Sequence, residues 1–312
     1  MEYIAIFVGL ILLLKGGDWL MKTSVALSLY LKIPKIVIGM TVVSFATSAP
    51  ELIVSIQAAL GGYPDLALGN VLGSNVANLA FVLGIVIIIA PIKVANGFVK
   101  TDWSLMFVFS IIFYFLLTQD AQLSRNEGVF LFISLILFLV FLIKFQKKAI
   151  IEESENSLEL LSVKQIFFLL PLGGLALWLG SETLVKGAVG LAQELGVSER
   201  IISISIVSVG TSIPELSASL IAIINKEKAI SLGNLIGSNI FNLLAVLGIT
   251  SIIQPLQVED LSLIDRDIFW MLAISFLILP LVYFPKKNTL GRWEGFILFG
   301  TYILFLYPLI FG

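Results

Sequence analysis

The chain contains no cysteine and no histidine, and only 13% of its 312 residues are Asp, Glu, Lys or Arg. Without thiols there are no disulfides and no thiolate nucleophile. Without imidazole there is no His-based acid–base catalysis, and the two absences together exclude the usual zinc and haem sites. The charges nearly cancel, 19 basic against 21 acidic side chains for a net −2. The Lys and Arg residues are scattered, which leaves no footprint for nucleic acid. What is abundant is hydrocarbon: 58% of the residues are hydrophobic and the mean hydropathy is +1.05, where a soluble chain is about half apolar and roughly a quarter charged. This is the composition of a membrane protein, which the spans below make all-α, with its chemistry left to carboxylates, hydroxyls, amides and backbone carbonyls.

A membrane-spanning helix needs about 20 predominantly apolar residues. Ten such stretches run roughly over 3–28, 35–60, 66–91, 103–118, 128–146, 165–192, 199–224, 229–254, 268–284 and 293–311. The first opens on Met1-Glu2 with no basic flank and no A-x-A site, so it is expected to be a retained span and not a cleaved signal. Short cytoplasmic loops carry the excess of Lys and Arg. With both termini outside, fourteen basic residues fall inside and only Arg125, Arg200 and Arg266 outside, Lys15 and Lys186 lying within helices. The expected setting is a cytoplasmic (inner) membrane with both termini outside. The polar linker at 147–163, with Glu152, Glu153, Glu155 and Glu159, is then cytoplasmic and too short for a regulatory domain.

A constant shift of 164 residues superimposes two long segments without a gap. Residues 42–55 (VVSFATSAPELIVS) fall on 206–219 (IVSVGTSIPELSAS), and residues 69–85 fall on 233–249 with 11 of 17 identical. The identities include a proline, Pro50/Pro214, and polar residues that two unrelated greasy helices would not share: Thr47/Thr211, Ser48/Ser212, Glu51/Glu215, Asn70/Asn234, Ser74/Ser238, Asn75/Asn239 and Asn78/Asn242. Five spans separate each residue from its mate, an odd number, so the halves cross the bilayer in opposite directions. The expected organisation is therefore two inverted five-helix repeats: 1–146, a linker at 147–163, and 164–312. Inverted repeats of this kind belong to secondary transporters, with the site near the midplane at the repeat interface. A duplication kept only for helix packing would not need matched polar residues, whose desolvation is costly.

Glu51 and Glu215 sit in the middle of the second and seventh spans, where an ionised side chain costs at least about 2.5–3.5 kcal/mol unless compensated. Neither span has a Lys or Arg near its Glu, so the natural compensator is a bound cation. Pro50 and Pro214 lack an N–H and clash with the preceding turn, which frees the carbonyls of Ala46 and Gly210 and breaks both helices. Such freed groups are tolerated only where protein or a water-filled cavity covers them, and they are expected to become ligands. Thr47 lies one turn before Glu51, and Asn70, Ser74 and Asn78 share one face of the next helix. Gly69, Gly73, Gly233 and Gly237 recur at the same interval and are read as packing positions. Asp18 and Glu182, each with a lysine four residues on (Lys22 and Lys186), are read as ion pairs that place the first and sixth spans. An all-oxygen inventory with two carboxylates suits a hard divalent cation such as Ca²⁺, which takes six to eight oxygens.

The two TSxPE cores, Thr47-Ser48-Ala49-Pro50-Glu51 and Thr211-Ser212-Ile213-Pro214-Glu215, are each followed by GN-x-x-GSN-x-x-N at Gly69–Asn78 and Gly233–Asn242. On these motifs the chain resembles the calcium/cation antiporter superfamily, in particular its prokaryotic sodium/calcium exchangers. The resemblance implies alternating access. One Ca²⁺ or several Na⁺ would bind in turn between the repeats, and the first and sixth helices would slide across the other eight. It implies Glu51 and Glu215 as ligands for both ions, with Thr47, Thr211, Ser48, Ser212, Ser74 and Ser238 completing the shells. Backbone carbonyls at Ser44 and Ser208 would join them, with Asn78 and Asn242 bordering the middle of the site. Several relatives have Asp where this chain has Asn242, and potassium-dependent ones carry the acid there, so K⁺-independent exchange is expected; three Na⁺, the number the resemblance suggests, against two glutamates would make the exchange electrogenic. Proton/calcium exchangers of the same superfamily carry a GN-x-x-E core in place of TSxPE. Coupling to H⁺, or carriage of Mn²⁺ or Mg²⁺, remains the alternative that oxygen ligands alone leave open. An intramembrane hydrolase is disfavoured, since no histidine exists and Asp18 is the only clear intramembrane Asp. The expected partners are Na⁺, Ca²⁺ and the lipid bilayer, with no cofactor and a monomer as the working unit.

Overall fold

The computed structural model describes residues 2–95, 97–145, 161–195 and 208–311. Most of the expected linker (147–160) and the start of the seventh span (199–207) lie outside them. The described chain is helical: α1 (Glu2–Leu31), α2 (Lys35–Thr47), α3 (Ala49–Leu60), α4 (Pro64–Ile89), α5 (Val99–Asp120), α6 (Arg125–Lys144), α7 (Val163–Glu194), the single turn α8 (Ser208–Gly210), α9 (Ile213–Ile224), α10 (Lys228–Ile253), α11 (Leu263–Tyr283) and α12 (Arg292–Phe311). Among the described residues seven helices are long and apolar enough to cross a bilayer, or eight if α2 and α3, bent by 44° at their break, form one span. Large apolar side chains such as Phe7, Phe115, Leu137, Phe167 and Phe168 are exposed, as lipid-facing residues must be where no water competes for them.

The repeat seen in the sequence reappears in element boundaries. A shift of 164 carries α3 onto α9 and α4 onto α10 end for end. It also carries β1 (Ile92–Lys93) onto β3 (Leu256–Gln257), and the π-helical start of α5 (Val99–Trp103) onto that of α11 (Leu263–Asp267). After α11 the shift becomes 167. It then relates β2 (Gln122–Leu123) to β4 (Thr289–Leu290), Ser124-Arg125-Asn126-Glu127-Gly128 to Gly291-Arg292-Trp293-Glu294-Gly295, and α6 to α12. Three extra residues have been accommodated in the turn after Tyr283. Strand pairing exchanges the repeats, β1 with β4 and β2 with β3, both antiparallel.

Two compact units are present. The first comprises Met1–Thr47 and Ile136–Gly237. In it α1 and α7 run antiparallel along a seam of glycines spaced by seven: Gly9 and Gly16 on one helix, Gly173, Gly180 and Gly187 on the other. A Cβ at Gly16 would lie 2.8 Å from the Gly173 carbonyl oxygen and from the Leu177 nitrogen, and one at Gly9 would lie 2.7 Å from the Leu184 nitrogen. Glycine is therefore required by backbone-on-backbone approach, the use that small residues serve where lipid offers helices no hydrophobic drive to associate. The two ion pairs read from the sequence form within their own helices, Lys22–Asp18 on α1 and Lys186–Glu182 on α7, each at 2.8 Å. Gly17 of α1 abuts Ile221 of α9. The start of α2 is tied to the turn before α10 by Lys35–Glu227 at 2.7 Å, a pair the sequence reading missed because it joins residues 192 apart.

The second unit comprises Ser48–Leu135 and Ser238–Gly312. Its helices pair in the same exchanged manner. Gly84 of α4 meets Gly295 of α12, and their mates Gly248 of α10 and Gly128 of α6 meet likewise, with a Cβ at Gly128 2.8 Å from the Gly248 carbonyl oxygen. Trp103 Nε1 donates to the Ser275 carbonyl at 2.8 Å and fastens α5 to α11. Outside the helices, the Ser262 amide donates to Asp260 at 2.9 Å and holds that carboxyl below its usual range.

The glycine seam makes a direct prediction. Gly16→Ala should destabilise the protein by about 1–3 kcal/mol through overpacking, read as a fall in the melting temperature of the detergent-solubilised chain. Leu14→Ala, on the exposed side of α1, should stay within about 0.5 kcal/mol. Equal melting temperatures for the two variants would contradict the seam.

Candidate functional site

Each expected glutamate lies just after a helix break whose serine takes the same backbone angles in both halves. α2 stops at Thr47, Ser48 takes φ −89° and ψ 2°, and α3 begins at Ala49; in the second half Ser212 takes φ −89° and ψ 3° before α9 begins at Ile213. These angles fall in the sparsely allowed bridge region. Counting the serine as N-cap, Pro50 and Pro214 occupy the second helical position, where a missing N–H costs nothing because that donor would be unsatisfied anyway. The prolines thus start new helices. Glu51 and Glu215 then fall at the third position, in the first turn, and both are completely buried. A helix N-terminus carries partial positive charge and favours a carboxylate by about 0.3–1 kcal/mol, up to about 2 when partly buried. The bound cation inferred from the sequence is therefore not the only source of compensation; the break itself supplies some.

Ser-x-x-Glu at a helix start is the pattern of a capping box, in which the serine oxygen accepts from the third N–H of the helix. Neither serine does so here: no side-chain cap is made at either break. The hydroxyls of Ser48 and Ser212, both buried, have no hydrogen-bond partner among the described residues. An unmade hydrogen bond on a buried hydroxyl costs about 1–3 kcal/mol. It is found twice, at mated positions beside mated carboxylates.

The remaining expected residues fall into two groups. In the first unit, Ser44 Oγ donates to the carbonyls of Gly39 (2.8 Å) and Asn234 (2.9 Å), and Thr47 Oγ1 donates to Asn234 Oδ1 at 3.1 Å. The Ser44 carbonyl receives a long contact from Thr47 Oγ1, 3.4 Å. Ser208 opens α8 and Thr211 follows it, half-buried. In the second unit Ser74 and Asn78 are buried on α4, and Ser238 and Asn242 on α10. Asn78 lies within the π-helical stretch Ala77–Val82 and Asn242 opens the stretch Asn242–Val246. The wider turn of a π-bulge re-aims side chains and is frequent at functional sites.

The Gly210 carbonyl, freed by Pro214, accepts the hydroxyl of Ser181 on α7 at 2.7 Å. A neighbouring helix meets the need of the broken one, as freed backbone groups in a membrane require. The sequence reading also left Asn70 and Asn234 without a role. Asn70 Nδ2 donates to Ser55 Oγ (3.0 Å) and to the Glu51 carbonyl (3.3 Å), and its mate Asn234 donates to Ser219 Oγ at 3.3 Å. These asparagines brace the helices that carry the glutamates. The signal was available, since Ser55 and Ser219 are also identical under the shift.

Comparison with known proteins identifies relatives over nearly the whole chain. Residues 1–144 and 165–311 match the family described as sodium/calcium exchanger protein. CaxA of Alkalimonas amylolytica is 38% identical over 98% of both chains. The sodium/calcium exchanger MaX1 of Methanosarcina acetivorans is 30% identical over 99% of both. The solved structure of the sodium-calcium exchanger NCX_Mj superimposes with a TM-score of 0.84 at 30% identity, covering 99% of this chain and 98% of that one.

Bracing by Asn234 can be tested apart from transport. Asn234→Leu removes the acceptor of the Thr47 hydroxyl and the donor to Ser219, all three side chains being buried. It should cost about 1–3 kcal/mol of stability, measured by thermal unfolding in detergent; an unchanged melting temperature would refute the bracing role.

Proposed function

Since the chain belongs to the sodium/calcium exchanger protein family, we propose that it is a secondary antiporter that exchanges Na⁺ for Ca²⁺ by alternating access. The observation that carries this reading is the matched pair of helix breaks, each with a fully buried glutamate and a buried serine hydroxyl left out of the helix cap. Glu51 and Glu215 provide the carboxylates. Ser48, Ser212, Thr47, Thr211, Ser74 and Ser238 provide hydroxyl oxygens, Ser44 and Ser208 carbonyls, and Asn78 and Asn242 amide oxygens. Oxygen donors alone suit Ca²⁺ and Na⁺.

Ten spans in two inverted repeats remain the topology favoured by the sequence. The antiparallel course of α1 and α7, which are repeat mates, supports the inversion. In this reading the protein works as a monomer in the cytoplasmic membrane with both termini outside. It is a carrier and not an enzyme, and needs no cofactor.

The decisive experiment is ⁴⁵Ca²⁺ flux in proteoliposomes under an imposed Na⁺ gradient. Glu51→Gln and Glu215→Gln should each nearly abolish uptake, because each removes one of two charges that balance a divalent ion. Near wild-type exchange by either variant would remove its glutamate from the ligand set.

Two further arms define the coupling. Three Na⁺ against two carboxylates leave one positive charge in excess, and one charge moved through 100 mV is worth about 2.3 kcal/mol. Uptake should therefore respond to a clamped potential; indifference would indicate two Na⁺ per Ca²⁺. With choline replacing K⁺ on both sides at fixed potential the rate should be unchanged, because Asn242 supplies an amide oxygen but no third carboxylate. A rate that collapsed without K⁺ would refute this.

A further inference from the structure

An asparagine offers a cation two opposite faces: the amide oxygen attracts it and the amide NH₂ repels it. Which face is presented depends on what holds the other. Asn242, completely buried, donates through Nδ2 to Asn75 Oδ1 at 3.1 Å. Its own Oδ1 has no hydrogen-bond partner among the described residues.

The orientation of Asn75 is in turn fixed. Its Nδ2 faces two acceptors, the Asn239 carbonyl at 3.3 Å and Met271 Sδ at 3.6 Å, and the side chain is buried. Turning the Asn75 amide over would set its oxygen against that carbonyl and its NH₂ against the NH₂ of Asn242, replacing hydrogen bonds with like-to-like contacts. The two amides therefore lock in one sense, which among the described residues leaves the oxygen of Asn242 unspent.

The mated pair is not closed in this way. Both amide atoms of Asn78 and Oδ1 of Asn239 lack partners among the described residues, and Asn239 Nδ2 reaches only Met106 Sδ, at 4.0 Å. The two halves share sequence here but not this hydrogen bond.

We infer that Asn75 is a positioning residue for ion binding: it takes the N–H of Asn242 so that Asn242 presents its oxygen to the transported cation. This rests on the proposed placement of Asn242 beside the ions. The structure gives Asn239 no such role toward Asn78, so the two halves contribute unequally.

The test is a double-mutant cycle on the full chain in detergent, reading the Na⁺ and Ca²⁺ concentrations that half-saturate thermal stabilisation. Asn242→Leu and Asn75→Leu should each raise those concentrations by about five- to tenfold, the scale of one lost hydrogen bond. The double variant should be no worse than Asn242→Leu alone, because Asn75 acts only through Asn242. Asn239→Leu should stay within about twofold of the unaltered chain. If Asn75→Leu is not recovered folded, Asn75→Ala completes the same cycle.

Effects of the two substitutions that multiply in the double variant would overturn the inference. So would a lower melting temperature without ions but unchanged half-saturation in Asn75→Leu, which would mean that Asn75 serves packing alone. If ions stabilise the unaltered chain yet Asn242→Leu changes nothing, the positioning role falls while exchange stands. If neither ion stabilises the unaltered chain or is exchanged by it, the exchange reading falls, and this inference with it.

Discussion

A carboxylate carried into hydrocarbon must be stabilised before it can hold anything else, and most of the local structure answers that demand. Glu51 and Glu215 have no solvent exposure, and the chain meets the cost by placing a helix N-terminus beside each of them. That requires ending one helix and starting another inside the membrane. The break residue takes bridge-region angles, the proline moves to a position where it lacks nothing useful, and freed backbone groups need partners from neighbouring helices. Ser181, donating to the Gly210 carbonyl, is one such partner.

The same economy explains the glycines. Where hydrocarbon surrounds the helices, apolar burial gives them no reason to prefer one another, so close backbone approach and hydrogen bonding carry the association. Gly233, whose added Cβ would clash with the Ile36 carbonyl, and Gly237, whose added Cβ would clash with Ser44, let α10 lie against α2 closely enough for Ser44 to reach the Asn234 carbonyl. Their reading as packing positions agrees with what surrounds them. Packing and polar placement are one problem here: remove the glycine and the hydroxyl cannot reach.

Much of this was legible because the chain states it twice. The matched residues exposed the repeat, the breaks at the TSxPE cores and the glutamates as candidates. Other features were hidden for identifiable reasons. The π-helical stretches depend on backbone hydrogen bonding, and the asparagines within them look like any buried amide. The Lys35–Glu227 pair joins residues far apart in sequence with no mate of either type. The seam between α1 and α7 was spelled out by glycines at intervals of seven, but a search for intervals of four passes over it. The continuation of the repeat into α12 was masked by a three-residue change of register. The Ser181 hydroxyl on the Gly210 carbonyl was hidden because a broken helix shows which groups are freed but not which neighbour donates to them.

The α1–α7 seam also has a genetic consequence. Every missense change in a glycine codon adds at least a Cβ, and at Gly9, Gly16, Gly173, Gly180 and Gly187 that atom would lie within about 3 Å of the opposing backbone. These codons have no conservative neighbour, whereas a glutamate codon is one base from aspartate and from glutamine. Under random mutation the positions most strictly purged would include residues with no side-chain chemistry at all. An alignment scored for invariance would rank this seam beside the carboxylates, for reasons unrelated to ions.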